Sequence, residues 1–305
     1  MSLPAAGDAW ALASTTCFAS ANVLIVRGTR PGVADNGAFL SLIITALIAG
    51  GGWLALGLAR GFEPVTWRAL AWFAGAGVFT AYIGRVFYYH SVQRLGAMRA
   101  STIKRLNPFF AVLLGVAVLG EALTGGMALG LVLVAASFAV LLAGGSRGGK
   151  DTGGIAWTRR LLNAGYLYGP VSALGYATGY LLRKMGLAAA HDALLGAAVG
   201  TLVGAAIYAA TAPFNADYAR AVRATLERPN PWLLAAGVMS SLGQIFYFAA
   251  LNLSPMSRVA LISSMEVFVT FFLAMVLLRP RERLTPAVAI AALLGVGGTA
   301  LIIAI

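Results

Sequence analysis

Charge is scarce in this chain. Only 10% of its 305 residues are Asp, Glu, Lys or Arg, against 60% hydrophobic, where a soluble domain carries about 25% charged residues. Too few polar atoms remain to cover a globule, so most of the surface must meet lipid, in keeping with a mean hydropathy of +0.84. Acidic residues are scarcer still, 10 against 22 Lys and Arg, which leaves a formal charge of +12. Such an excess would suit nucleic acid if it gathered on one face of a soluble fold. Here the basic residues lie mostly between long apolar runs, where membrane topology places them, and no nucleic-acid partner is expected. One cysteine, Cys17, excludes an intrachain disulfide framework and a thiolate metal cage. The two histidines, His90 and His191, lie far apart. With few intramembrane acids they do not supply the clustered acid/base or metal set of a membrane enzyme acting on lipids, so no enzyme and no metal site are expected. The opening MSLPAAGDAW lacks a basic n-region, so no cleaved signal peptide is expected.

What the chain has instead is apolar runs of spanning length, about 20 residues each. Ten fall at 8–27, 36–59, 67–92, 96–119, 126–144, 160–183, 189–212, 230–253, 257–278 and 285–305. Most connections are short, so successive spans should be antiparallel neighbours. Within the longer 213–231 connection, Ala219, Val222 and Leu226 share a helical face with Arg220, Arg223 and Glu227 outside it, which predicts a short structural helix at the interface. The runs Gly50-Gly51-Gly52 and Gly295-x-Gly297-Gly298 permit close helix approach; neither precedes Lys-Ser or Lys-Thr, so no phosphate-binding loop is present.

The two halves resemble each other. GRVFYYHSVQRLGAMRASTI from Gly84 aligns with GQIFYFAALNLSPMSRVALI from Gly243, bringing Gly84, Phe87, Tyr88, Arg99 and Ile103 onto Gly243, Phe246, Tyr247, Arg258 and Ile262. After a two-residue gap Glu121-Ala-Leu-Thr124 meets Glu282-Arg-Leu-Thr285. Five spans per half is an odd number, so the second half enters the membrane in the opposite sense. The fold class is therefore an all-α integral membrane protein of ten transmembrane helices in two inverted five-helix repeats, 1–145 and 160–305, joined by a loop at 146–159. In such proteins the substrate sits near the midplane between the halves, which rock to expose it alternately.

The runs 87–124 and 246–285 resemble the EamA-type repeat of the drug/metabolite transporter superfamily. The resemblance implies a central cavity lined by spans 1, 3, 4, 6, 8 and 9, export of metabolites or drugs, and neither a cofactor nor an ATP site. In one departure, the proline common after the position of Asn107 and Glu266 is kept as Pro108 but replaced by Val267. This predicts a kink in the fourth span that the ninth lacks.

Intramembrane ionisable residues cost about 2.5–3.5 kcal/mol each at the bilayer centre on insertion scales, and are site candidates by default. Tyr82, Arg85 and Tyr89 recur at i, i+3 and i+7 and share a face of the third span. Arg85, too far from either end to snorkel, reads as a cavity guanidinium able to hold a carboxylate or phosphate, or else as an ion pair locking helices together. In STIKRLNPFFAVLL (101–114) Lys104 and Asn107 share a face from which Arg105 points away; Arg105 is expected to pair or to snorkel. The repeat sets Lys104 opposite Ser263 and Asn107 opposite Glu266, at similar depth around a pseudo-twofold axis. Glu266 either neutralises a basic neighbour, which would keep it charged, or titrates as a coupling carboxylate; the pair is the favoured reading. Gln244, next to Gly243 in the aligned segment, joins Tyr247 and Tyr176 in the candidate cavity, with Tyr88, Phe246 and Tyr180 as further aromatic wall or ordinary packing. Ser14, Thr15, Ser20, Asn22, Ser172 and Thr178 read as helix glue, and His90 as structural.

Basic residues cluster at the odd-numbered connections, with only Arg60, Arg68, Arg183, Lys184 and Arg258 at the even ones. The positive-inside rule then places both termini outside, whereas the resemblance implies cytoplasmic termini. The expected function is a secondary transporter exporting a small metabolite, an amino acid or related amphipathic solute with an anionic group, because Arg85, Lys104 and Arg105 outnumber Glu266. The alternative is a multidrug or cation exporter that exchanges protons at Glu266. Expected partners are the small solute, the lipid bilayer and, in the alternative, coupling protons, for a monomer or homodimer in a bacterial inner membrane.

Overall fold

The computed structural model describes residues 3–28, 37–95, 99–100, 103–104, 106–119, 125–145, 167–227, 230–254, 259, 262–263, 265–277, 286, 289–291, 293–294 and 297. Every regular element among them is helical. The spans run Leu3–Gly28 (span 1), Gly37–Arg60 (span 2), Trp67–Leu95 (span 3), Leu106–Leu119 (span 4), Gly125–Gly145 (span 5), Tyr168–Ala189 (span 6), Ala193–Thr211 (span 7), Pro231–Leu253 (span 8) and Glu266–Leu277 (span 9). Arg105, Arg258, the 146–159 loop, both Glu-x-Leu-Thr turns, Gly295, Gly298 and most of the tenth span lie outside the described residues.

Local chemistry sets the helix starts. Thr66, Asp192 and Asn230 cap spans 3, 7 and 8 by accepting from the backbone N–H of Ala69 (3.2 Å), Leu195 (2.9 Å) and Trp232 (2.9 Å), and Pro231 opens span 8, where its missing N–H costs nothing. Five stretches, Ala6–Gly28, Gly37–Arg60, Trp67–Leu95, Ala193–Phe214 and Pro231–Leu253, are each long and apolar enough to cross a bilayer. Large apolar side chains such as Leu47, Leu58, Leu202 and Phe272 point outward, as a lipid-facing surface requires.

The packing repeats itself. Span 1 lies along span 8 and span 6 along span 3; span 2 packs on span 8 and span 7 on span 3; span 1 meets span 9 and span 6 meets span 4; spans 2 and 7 meet each other. Exchanging each span with its equivalent in the other half maps this set of neighbours onto itself. Two hydrogen bonds repeat the relation at atomic detail: Ser14 Oγ donates to the Gly243 carbonyl (2.8 Å) and Ser172 Oγ to the Gly84 carbonyl (2.6 Å).

Four sequence expectations change. Span 6 ends at Ala189, not at 183, so Arg183 sits inside the helix rather than beside a connection. Spans 4 and 9 are both interrupted near equivalent positions, with turns at Lys104 and Met265 ahead of helices that start at Leu106 and Glu266. Pro108 leaves the Lys104 carbonyl without its regular i→i−4 partner, but span 9 breaks as well with Val267 in the matching place, so the break does not require proline. The close approach of backbones occurs at Gly77 and Gly200, where an added Cβ at Gly77 would fall on the Gly200 carbonyl; Gly51 has nothing within 4 Å of that position. The short helix Ala216–Glu227 forms as expected but buries Ala221 and Thr225, while Ala219 is exposed. Tyr218 sets that rotation by stacking 4.4 Å from Tyr208 on span 7.

Candidate functional site

Glu266, the first residue of its helix, is buried where the halves meet, its carboxylate at the end that a helix dipole favours for negative charge. Lys104 Nζ reaches it from the other half, 3.1 Å from Oε2 and 3.2 Å from Oε1. Asn22 on span 1 donates to Glu266 Oε1 (2.9 Å) and Thr270 Oγ1 (3.3 Å) while accepting from the Tyr88 hydroxyl (2.8 Å). The ammonium of Lys104 also lies 4.8, 4.7 and 5.5 Å from the ring centres of Phe18, Tyr88 and Tyr176, close enough for cation–π attraction. The pair expected from the repeat is therefore present, surrounded by residues of spans 1, 3, 4, 6 and 9 from both halves.

Tyrosines form the adjoining layer. Tyr176 and Tyr180 lie 5.8 Å apart and Tyr180 stacks on Tyr247 at 4.5 Å. Tyr176 touches Lys104 and Tyr180 touches Arg183, so these rings link the ion pair to the arginine of span 6. Arg85 is 1% exposed. Its Nη1 donates to the Ser41 carbonyl (2.9 Å) and Thr45 Oγ1 (3.0 Å), and Thr45 in turn bonds Ser241 Oγ (2.7 Å), which ties spans 2, 3 and 8 together. Arg85 makes no ion pair among the described residues, and its Nε and Nη2 have no hydrogen-bond partner there.

Tyr82 and Arg85 hydrogen-bond to different spans. The segment Val78–Gly84 is π-helical, and its wider turn rotates the residues beyond it relative to a regular helix. Tyr82 accordingly reaches Thr211 Oγ1 on span 7 (3.3 Å) while Arg85 reaches span 2. Tyr89 is buried, Ser263 and Asn107 are half-buried, and His90 packs against Tyr168 (5.7 Å) and Tyr218 (6.4 Å).

Two residues that sequence reasoning did not place in the cavity belong to this layer. Asn22, read from sequence as helix glue, is a direct ligand of Glu266. Arg183 is 4% exposed on span 6, with Nη2 donating to Thr80 Oγ1 (2.6 Å) and its guanidinium 4.3 Å from Phe248 and 5.2 Å from Tyr180. It faces Gln244, which is 2% exposed, across a shared cleft between spans 3, 6, 7 and 8. A signal for Arg183 was present: Tyr176, Tyr180 and Arg183 stand at i, i+4 and i+7, one helical face. Spans 1, 3, 4, 6, 8 and 9 contribute residues, and spans 2 and 7 do so as well through the partners of Arg85 and the cleft beside Arg183.

Comparison with known proteins agrees with this architecture. Comparison with curated proteins finds no match. One solved structure, described only as "Crystal structure of protein", superposes with a TM-score of 0.53 over 96% of this chain and 95% of its own at 20% sequence identity, a likeness of fold alone. The profile of the EamA-like transporter family matches residues 5–143 and 163–304. With both halves matched, the chain belongs to the EamA-like transporter family, all-helical two-repeat membrane proteins that carry small solutes.

Proposed function

We propose that this protein is a secondary transporter that exports small metabolites carrying an anionic group, amino acids or related amphipathic solutes, by alternating access across a bacterial inner membrane. The supporting observation is the charge imbalance at the interface between the halves. Arg85 and Arg183 are buried and the Lys104 side chain is 12% exposed, against Glu266 as the buried carboxylate among the described residues. Lys104 and Glu266 neutralise each other, so the guanidinium charge is left over, and an incoming anion would balance it in a low-dielectric setting where that balance matters most. The halves 1–145 and 160–305 act as the two moving bodies, and the Lys104–Glu266 bridge is a contact between them that each cycle must remake.

Efflux of amino acids and organic acids from proteoliposomes tests this reading. Arg85→Ala and Lys104→Ala should each lower flux at least tenfold in protein that still melts cooperatively; normal flux in both would sink the site assignment. A second reading, a proton-coupled cation exporter, draws support from the rings of Phe18, Tyr88 and Tyr176 beside Glu266, an environment suited to an ammonium. Its mark is loss of pH-gradient-driven cation flux in Glu266→Gln with anion flux unchanged.

A further inference from the structure

We propose that Arg183 and Gln244 form an anion subsite that receives the carboxylate head of the transported solute; calling the ligand a transported solute rests on the transporter reading above. Arg183 uses one nitrogen on Thr80, whereas its Nε and Nη1 are buried without a hydrogen-bond partner among the described residues. Gln244 leaves both Nε2 and Oε1 in the same condition. Both line one cleft, whose wall also includes Thr80, Thr201, Gly77 and Gly200. A buried guanidinium without a counter-charge is costly, and a buried amide with neither end satisfied adds to that cost. Both side chains border the same space with donors unsatisfied among the described residues, a lack that an anion would meet.

Size narrows the class. The cleft has room for about one water-sized group, because Gly77 and Gly200 bring spans 3 and 7 into backbone contact at its floor. That admits one oxygen of a carboxylate, inserted edge-on, and leaves no room for the wider tetrahedral head of a phosphate. Oε1 of Gln244 offers an acceptor to an N–H or O–H elsewhere on the solute. Gln244 occupies the position equivalent to Arg85 in the repeat, so one half presents a guanidinium and the other an amide at matching depth.

The test uses the full-length protein in lipid nanodiscs, melted at constant ionic strength in sodium acetate, sodium chloride or sodium phosphate. Acetate should raise the melting temperature in a saturable way and phosphate should not. Arg183→Gln should weaken the acetate response at least tenfold, and Gln244→Leu, which alters no charge, severalfold. Flux of the amino-acid panel in proteoliposomes should show KM raised at least tenfold in Arg183→Gln. An acetate response within twofold of wild type in Arg183→Gln overturns the subsite, as does chloride stabilising as strongly as acetate, which would make it an inorganic-ion site. If Arg183→Gln does not fold, an unchanged response in Gln244→Leu overturns it. Acetate binding without flux of any panel member overturns the transporter reading and leaves the subsite standing; flux with an unaltered acetate response in both variants removes the subsite alone.

Discussion

Around Lys104 and around Arg183 the fold builds similar surroundings and fills them differently. Each cation lies against aromatic rings, Phe18, Tyr88 and Tyr176 for the lysine and Tyr180 and Phe248 for the arginine. Lys104 has a carboxylate at 3.1 Å; Arg183 has a hydroxyl, that of Thr80. The two cations are not equivalents in the repeat, where Lys104 matches Ser263, so the likeness lies in their chemistry and not in the duplication. The completed pair stabilises the assembly on its own, and the incomplete one has a use for a ligand.

The contrast breaks first if the two cations respond alike to mutation. Glu266→Gln strands a buried ammonium and should destabilise the protein by about 3–5 kcal/mol, read as a lower denaturation midpoint in detergent. Lys104→Met added to it should recover most of the loss, and additive losses would mean that the pair does not act as a unit. Arg183→Met removes a charge that no carboxylate balances, so without anions its midpoint should hold or rise, by up to about 1–4 kcal/mol. A loss as large as that of Glu266→Gln would erase the distinction between the two regions.

Next in size is the floor of the Arg183 cleft. Gly77→Ala forces a methyl onto the Gly200 carbonyl and should cost about 1–3 kcal/mol by overpacking, whereas Gly51→Ala, with open space around it, should be neutral or slightly stabilising; melting curves of the two variants separate the cases. Smallest is the repeated part of the architecture. Ser14→Ala and Ser172→Ala each delete one interhelical hydrogen bond and should cost about 0.6 kcal/mol apiece. Unequal losses in a paired denaturation series would show that the repeats agree in geometry but not in energetics.

Much of this was legible in the residues. Apolar runs marked the spans, and the offset between the aligned halves placed Lys104 and Glu266 at one depth before any distance was known. Arg183 was missed because a charge at the edge of an apolar run looks like a helix end, and hydropathy cannot tell an end from a polar inner face. Asn22 was missed because a side-chain amide in a span reads as glue until its partner is known. The separate partners of Tyr82 and Arg85 were illegible for a different reason: a π-helical turn has no clear mark in sequence, and it rotates every residue after it.

By itself the sequence determined the solvent, the helical class and the duplication, because these arise from composition and from regularities along one chain: a lipid environment from the lack of charge, helices from the length of apolar runs, inversion from an odd number of spans. Only the tertiary structure decided which buried charges have partners. Lys104 meets a carboxylate 162 residues away, while Arg183, the same sign and more deeply buried, meets none among the described residues. Pairing is a matter of a few ångströms between distant positions, and packing across the two halves sets those ångströms.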